Sequence, residues 1–110
     1  MIAENRSAGD IQIIDIKGDI SADKSGEFKE IVKKAFEQSN KVIFNFKDVN
    51  YICSAGLGVI ASYYKEAQSK GIEIKFLHLN SNVKEILDRI RLTSFIQSFD
   101  NETDAIKSFS

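Results

Sequence analysis

The residues best suited to chemistry or recognition lie between Asp48 and Ile60 (DVNYICSAGLGVI). Ser54 stands where a loop gives way to an apolar-periodic run, the place for a helix N-cap. There its hydroxyl can accept a hydrogen bond from the amide of Gly56 or Leu57. The first amides of a helix have no intrahelical partner. The helix dipole adds roughly half a positive charge at the same end. A phosphate on Ser54 would sit in a field that stabilises it. Gly56 and Gly58 lack side chains, so a neighbouring strand or another molecule can approach the first turn closely. The ordinary reading stands beside this one: a capping serine and two packing glycines with no further role. The stretch matches neither GxxxxGKS/T nor GxGxxG, so it is not a nucleotide loop.

The other chemically suited residues are few. Cys53 is the only cysteine. It is either a thiolate activated by the helix start or a small side chain tucked under the loop. The lack of a resolving cysteine and of a basic neighbour favours the second reading. His78 is the only histidine and lies in an apolar run, Lys75 to Leu79, which suits a strand residue better than a catalytic base. Asp15, Asp19 and Asp23 recur every four residues but span a strand end and a turn, as solvated loop carboxylates do. One Cys and one His exclude a Cys/His zinc site, which takes three or four such ligands. No metal, no cofactor and no enzyme activity is expected.

The elements that must position these residues follow from periodicity. Ile2 to Arg6 reads as a short edge strand, and Ser7 to Asp10 as a turn. Ile11 to Lys17 is a β-branched strand; adjacent Ile13 and Ile14 imply cover on both faces. Phe28, Ile31, Val32, Ala35 and Phe36 form one helical stripe, predicting a helix over 22–38 with Ser21 or Asp23 as its cap. Lys41 to Phe46 is a strand. Ala55 to Ser69 is a second helix, with Leu57, Ile60, Ala61, Tyr64 and Ala67 on one face and Gly71 to terminate it. Ile72 to Leu79 is a strand. Ser81 then caps a third helix bearing Val83, Ile86, Leu87 and Ile90. Phe95 to Phe99 is expected as a last short strand and Asn101 to Phe109 as a terminal helix. The order β-β-α-β-α-β-α-β-α predicts an α/β fold, a mixed, mainly parallel sheet of about five strands with four helices.

Composition sets the class. At 110 residues and 43% hydrophobic, the chain suits a single domain, 1–110, with one continuous core. A net charge of −1 argues against direct nucleic-acid binding, which favours a basic excess. No run approaches the roughly 18 apolar residues of a spanning helix, so no membrane insertion is expected. The polar start from Met1 to Asp10 does not read as a signal peptide. With a lone cysteine, the expected address is the cytoplasm.

The order of elements and the run Asp48-Val-Asn-Tyr-Ile-Cys-Ser-Ala-Gly-Leu-Gly58 resemble the STAS domain, and within it the bacterial anti-sigma-factor antagonists. The turn Gly18-Asp19-Ile20-Ser21 before an amphipathic helix and the segment Arg91 to Ile96 before a terminal helix match as well. The resemblance covers nearly the whole chain. It implies a protein that binds an anti-sigma factor, usually a serine kinase of the histidine-kinase-like ATP-binding fold, and is switched off when that partner phosphorylates Ser54. It assigns partner binding to Asp19, Ile20, Ser21, Asp23, Asn50, Tyr51, Ile52, Cys53, Ala55, Gly56 and Leu57. The family usually carries Asp immediately before the serine; here Cys53 stands there. The resemblance also admits an unphosphorylated interaction subunit, of a lipid-transport ABC complex or a stressosome. A Cys53-based phosphotransfer or redox protein is the reading from a different class.

Overall fold

The computed structural model describes residues 3–109. β1 (Ala3–Ala8) and β2 (Ile11–Ile16) form an antiparallel hairpin closed at Gly9, whose φ of 63° suits a residue without a Cβ. Ile2, the expected start of β1, lies outside the described residues. β3 (Lys41–Asn45), β4 (Glu73–Leu77) and β5 (Ser98–Phe99) follow β2 in parallel, giving one sheet in the order β1-β2-β3-β4-β5. The α/β class and mixed sheet agree with the alternation in the sequence.

The sheet is covered on both faces. Ile14, Ile16, Val42, Phe44 and Phe76 face the larger core, under α1 (Ser25–Gln38), α2 (Ser54–Lys70), α3 (Ser81–Arg89) and α4 (Leu92–Phe95). Phe44 sits at its centre, with Phe46 stacked at 6.2 Å and Phe76 edge-on at 6.1 Å. Ile11, Ile13, Ile43 and Leu77 face the smaller core, closed by Ala105 and Phe109 at the α5 (Glu102–Lys107) end of the chain. Ile13 and Ile14 are both fully buried, each on its own face, as their adjacency requires. Each such side chain removed from water contributes on the order of 1.5–3 kcal/mol.

Several boundaries differ from the periodic reading, each for a local reason. The first helix begins with a 3-10 turn over Ala22–Lys24, and α1 proper starts at Ser25. Neither Ser21 nor Asp23 caps it. The Ser21 hydroxyl instead donates to the Asp23 carboxylate at 2.5 Å. Gly71 ends α2 in the left-handed conformation as expected, with φ 72°. Asn80 rather than Ser81 caps α3, because Asn80 is the extended residue and its Oδ1 accepts from the Val83 amide at 2.9 Å. There are five α-helices among the described residues where four were expected. Arg91, left-handed with φ 62°, breaks the chain after α3, and burial of Leu92 and Ile96 draws it into the short α4. The strand expected from Phe95 is thereby cut to Ser98–Phe99. His78, expected within a strand, lies one residue past β4 with φ 58°. Among the described residues no helix is long and apolar enough to cross a membrane.

Candidate functional site

The two stretches singled out in the sequence meet at the carboxyl ends of the parallel strands. Ile20 forms an isolated parallel bridge with Ile52. The Ile20 amide donates to the Tyr51 carbonyl at 3.0 Å, and the Cys53 amide donates to the Ile20 carbonyl at 2.9 Å. Oδ1 of Asp19 accepts from the amides of Asn50 at 2.8 Å and Tyr51 at 3.2 Å. The turn at Asp19 and the loop before α2 are therefore one unit, joined by backbone and by a carboxylate.

That bridge decides where α2 begins. It holds the chain extended through Cys53 (φ −73°, ψ 167°), so Cys53 is the N-cap and its Sγ accepts from the Gly56 amide at 3.4 Å. Ser54, expected to cap, is instead the first helical residue and is exposed. Its hydroxyl has no partner among the described residues. The amides of the first turn divide between roles. Leu57 donates to the Cys53 carbonyl at 3.0 Å and Gly56 to the sulfur. Those of Ser54 and Ala55 remain at the open end, where free N–H groups and the helix dipole favour an anion.

The glycines have separate reasons. A Cβ on Gly56 would lie 2.7 Å from Cγ2 of Ile20 and 3.0 Å from Cγ2 of Ile52, closer than packed atoms come, so Gly56 allows the helix to sit against the bridge. Gly58 has nothing within 4 Å of such an atom and needs no packing explanation.

Of the eleven residues assigned to partner binding by resemblance, Ile20, Ile52 and Gly56 are buried and support the surface from beneath. Asp19, Asp23, Asn50, Tyr51 and Ala55 are exposed, while Ser21, Cys53 and Leu57 are half-buried. The hydrogen bond from Ser21 holds the Asp23 carboxyl below its usual range. Tyr51 is 53% exposed and Ile90 43%, both high for large apolar side chains. Ser54, Leu57, Gly58, Ala61 and Ile90 line a shallow depression that is mostly apolar. A second cleft runs between the loop and α3, bounded by Asn50, Tyr51, Asn82, Glu85, Ile86 and Arg89. Among the described residues no group of three His, Cys, Asp or Glu could hold a metal. The arrangement is an open surface with a free hydroxyl at an anion-friendly helix start.

Asn80 is the residue of this region that periodicity missed. Its Nδ2 donates to the Val49 carbonyl at 2.7 Å and to Asn50 Oδ1 at 3.0 Å, while its Oδ1 caps α3. The signal available was an Asn immediately before a helical stripe.

With this geometry in view, the likenesses fit. The family model described as the STAS domain matches residues 3–105. The anti-sigma F factor antagonist of Paenibacillus polymyxa is 26% identical over 98 residues, covering 87% of this chain and 84% of that one. A crystal structure from Thermotoga maritima, a candidate anti-sigma factor antagonist, aligns with a TM-score of 0.88 at 22% identity, over 96% of this chain and 92% of that one. The Bacillus cell fate determinant SpoIIAA in its phosphorylated form aligns with a TM-score of 0.77 at 14% identity, over 98% of this chain and 99% of that one. Sheet order, helix order and the matched family model agree over nearly the full length: this chain belongs to the STAS domain family.

Proposed function

We propose that this chain is an anti-sigma-factor antagonist, a binding protein rather than an enzyme, switched by phosphorylation of Ser54. In its unmodified form it docks an anti-sigma factor that is itself a serine kinase of the histidine-kinase-like ATP-binding fold. The contact surface combines Asp19 to Asp23 with Asn50 to Leu57. The observation that carries the reading is the position of Ser54: first in the helix, exposed, its hydroxyl not used as a cap. A kinase can reach that oxygen without breaking the helix start. The phosphate then adds about −1.5 to −2 charges beside Leu57 and the apolar depression, where a docked partner would have to desolvate them. The likeness to the Paenibacillus polymyxa protein supports the antagonist role.

The test uses intact mass after incubation with the partner kinase and ATP. One phosphate is gained by the wild-type chain and none by Ser54→Ala. A partner that binds the chain yet transfers no phosphate to it contradicts the switch. That outcome is what the second reading predicts, a constitutive STAS interaction subunit. The second reading is favoured by one feature: the half-buried Cys53 where the resembling motif has Asp.

A further inference from the structure

The loop 49–51 is held from two sides. Asp19 accepts from the amides of Asn50 and Tyr51, and the Ile20 amide donates to the Tyr51 carbonyl. From the opposite side two further acceptors, the Val49 carbonyl and Asn50 Oδ1, are met by one side chain, the amide nitrogen of Asn80. The same side chain caps α3 with its oxygen. Tyr51 is thus more than half exposed while its backbone is fixed on both flanks. The α3 wall of the cleft beside it, Asn82, Glu85, Ile86 and Arg89, begins two residues after Asn80.

We infer that Asn80 is a positioning residue of the docking surface: its Nδ2 locks the loop bearing Asn50 and Tyr51 to α3, so loop and helix meet a partner as one rigid edge. The inference rests on the reading of Asn50 to Leu57 as the docking surface, and it adds α3 to that surface. Asn80 touches no reacting atom in this account; it acts through Val49 and Asn50.

The two halves of the amide can be separated chemically. Asp caps helices as well as Asn does, and its charge suits a helix start. A carboxylate, however, donates no hydrogen bond. Asn80→Asp therefore keeps the α3 cap and removes the bond to the Val49 carbonyl, leaving acceptor facing acceptor there, while the Asn50 amide can turn over to donate its own Nδ2. Asn80→Ala removes both functions.

The experiment is amide hydrogen exchange by NMR on the full chain. In Asn80→Asp, the Asn50 and Tyr51 amides keep their bonds to Asp19 but exchange about tenfold faster, because a loop released from α3 opens locally more often. The first-turn amides of α3 keep wild-type rates. In Asn80→Ala both sets speed up. Unchanged exchange at Asn50 and Tyr51 in Asn80→Asp overturns the inference, as does an acceleration spread evenly over the chain. If Asn80→Asp does not fold, Asn80→Ser, able to cap but too short to reach Val49, takes its place with the same expectations. This readout needs no partner, so it is decided separately from the docking reading. Where an anti-sigma factor binds the wild-type chain, Asn80→Asp binds it about tenfold more weakly; equal affinity also overturns the inference.

Discussion

Cys53 and Ser54 show how a single-residue shift changes what a site can do. A capping serine has its oxygen engaged with the helix; a serine at the next position offers it outward. The extended backbone at Cys53 follows from its hydrogen bond to Ile20. The sulfur then takes over the capping role. Gly56 is the residue on which this depends most. Its missing Cβ is the space filled by the Cγ2 atoms of Ile20 and Ile52. Those atoms belong to β-branched side chains with little rotamer freedom, so they cannot swing aside. Gly56→Ala is therefore expected to destabilise the chain by about 1–3 kcal/mol, the usual scale of overpacking. Urea denaturation should report a lower midpoint. An unchanged or raised midpoint would mean the bridge is not tightly packed. The sequence marked this stretch as a loop-to-helix junction with a candidate hydroxyl, and that was legible from the apolar stripe alone. Which residue caps was not legible, because the choice depends on a strand bridge to a segment distant in sequence.

At the scale of elements, α1 and α2 were legible because each carries an apolar stripe long enough to fix its period. Gly71 was legible because a left-handed terminus favours glycine. The two helices meet through Phe36 and Tyr63, edge-on at 4.9 Å. The region after β4 was less legible. Asn80 and Ser81 are both capping residue types, and local pattern does not rank them. Tertiary contact does: Asn80 also reaches Val49. The break at Arg91 was hidden for a related reason, since a left-handed arginine leaves no sequence signal of the kind glycine does. Leu92 and Ile96 are buried in the main core, and that demand makes α4 a helix and shortens β5. Local pattern thus identified the elements that position Ser54. It missed the side chain that ties the loop to α3.

Across the whole molecule, the two ends of the chain are tied together at a distance from the Ser54 junction. Arg6 of β1 pairs with Asp15 of β2 through Nε–Oδ2 at 2.5 Å and with Glu102 of α5. Burial works to raise the Asp15 carboxyl, but hydrogen bonds from Arg6 and Asn45 outweigh it and hold it below its usual range. The Arg6 hydrogen bond likewise lowers Glu102. Both native carboxyls are depressed relative to the unfolded chain. The stability they add is present above the ordinary carboxylate range, roughly pH 4, and is lost as pH falls through the native values. Melting temperature should therefore fall more steeply on acidification below about pH 5 in the wild type than in Arg6→Ala. Parallel curves would show that the cluster is not coupled to folding. The partly exposed pairs make this a small effect. The Arg6 cluster and the Ser54 junction are separate, so acid sensitivity and partner docking can be altered one at a time. The proposed function depends on where a partner lands. Hydrogen–deuterium exchange of the chain, alone and with the proposed anti-sigma-factor partner bound, tests this directly. Exchange is expected to slow at Asp19 to Asp23, Asn50 to Leu57 and the first turns of α3, with α5 and β1 unchanged. Protection confined to α5 or β1, with the Ser54 junction still exchanging freely, would contradict the account.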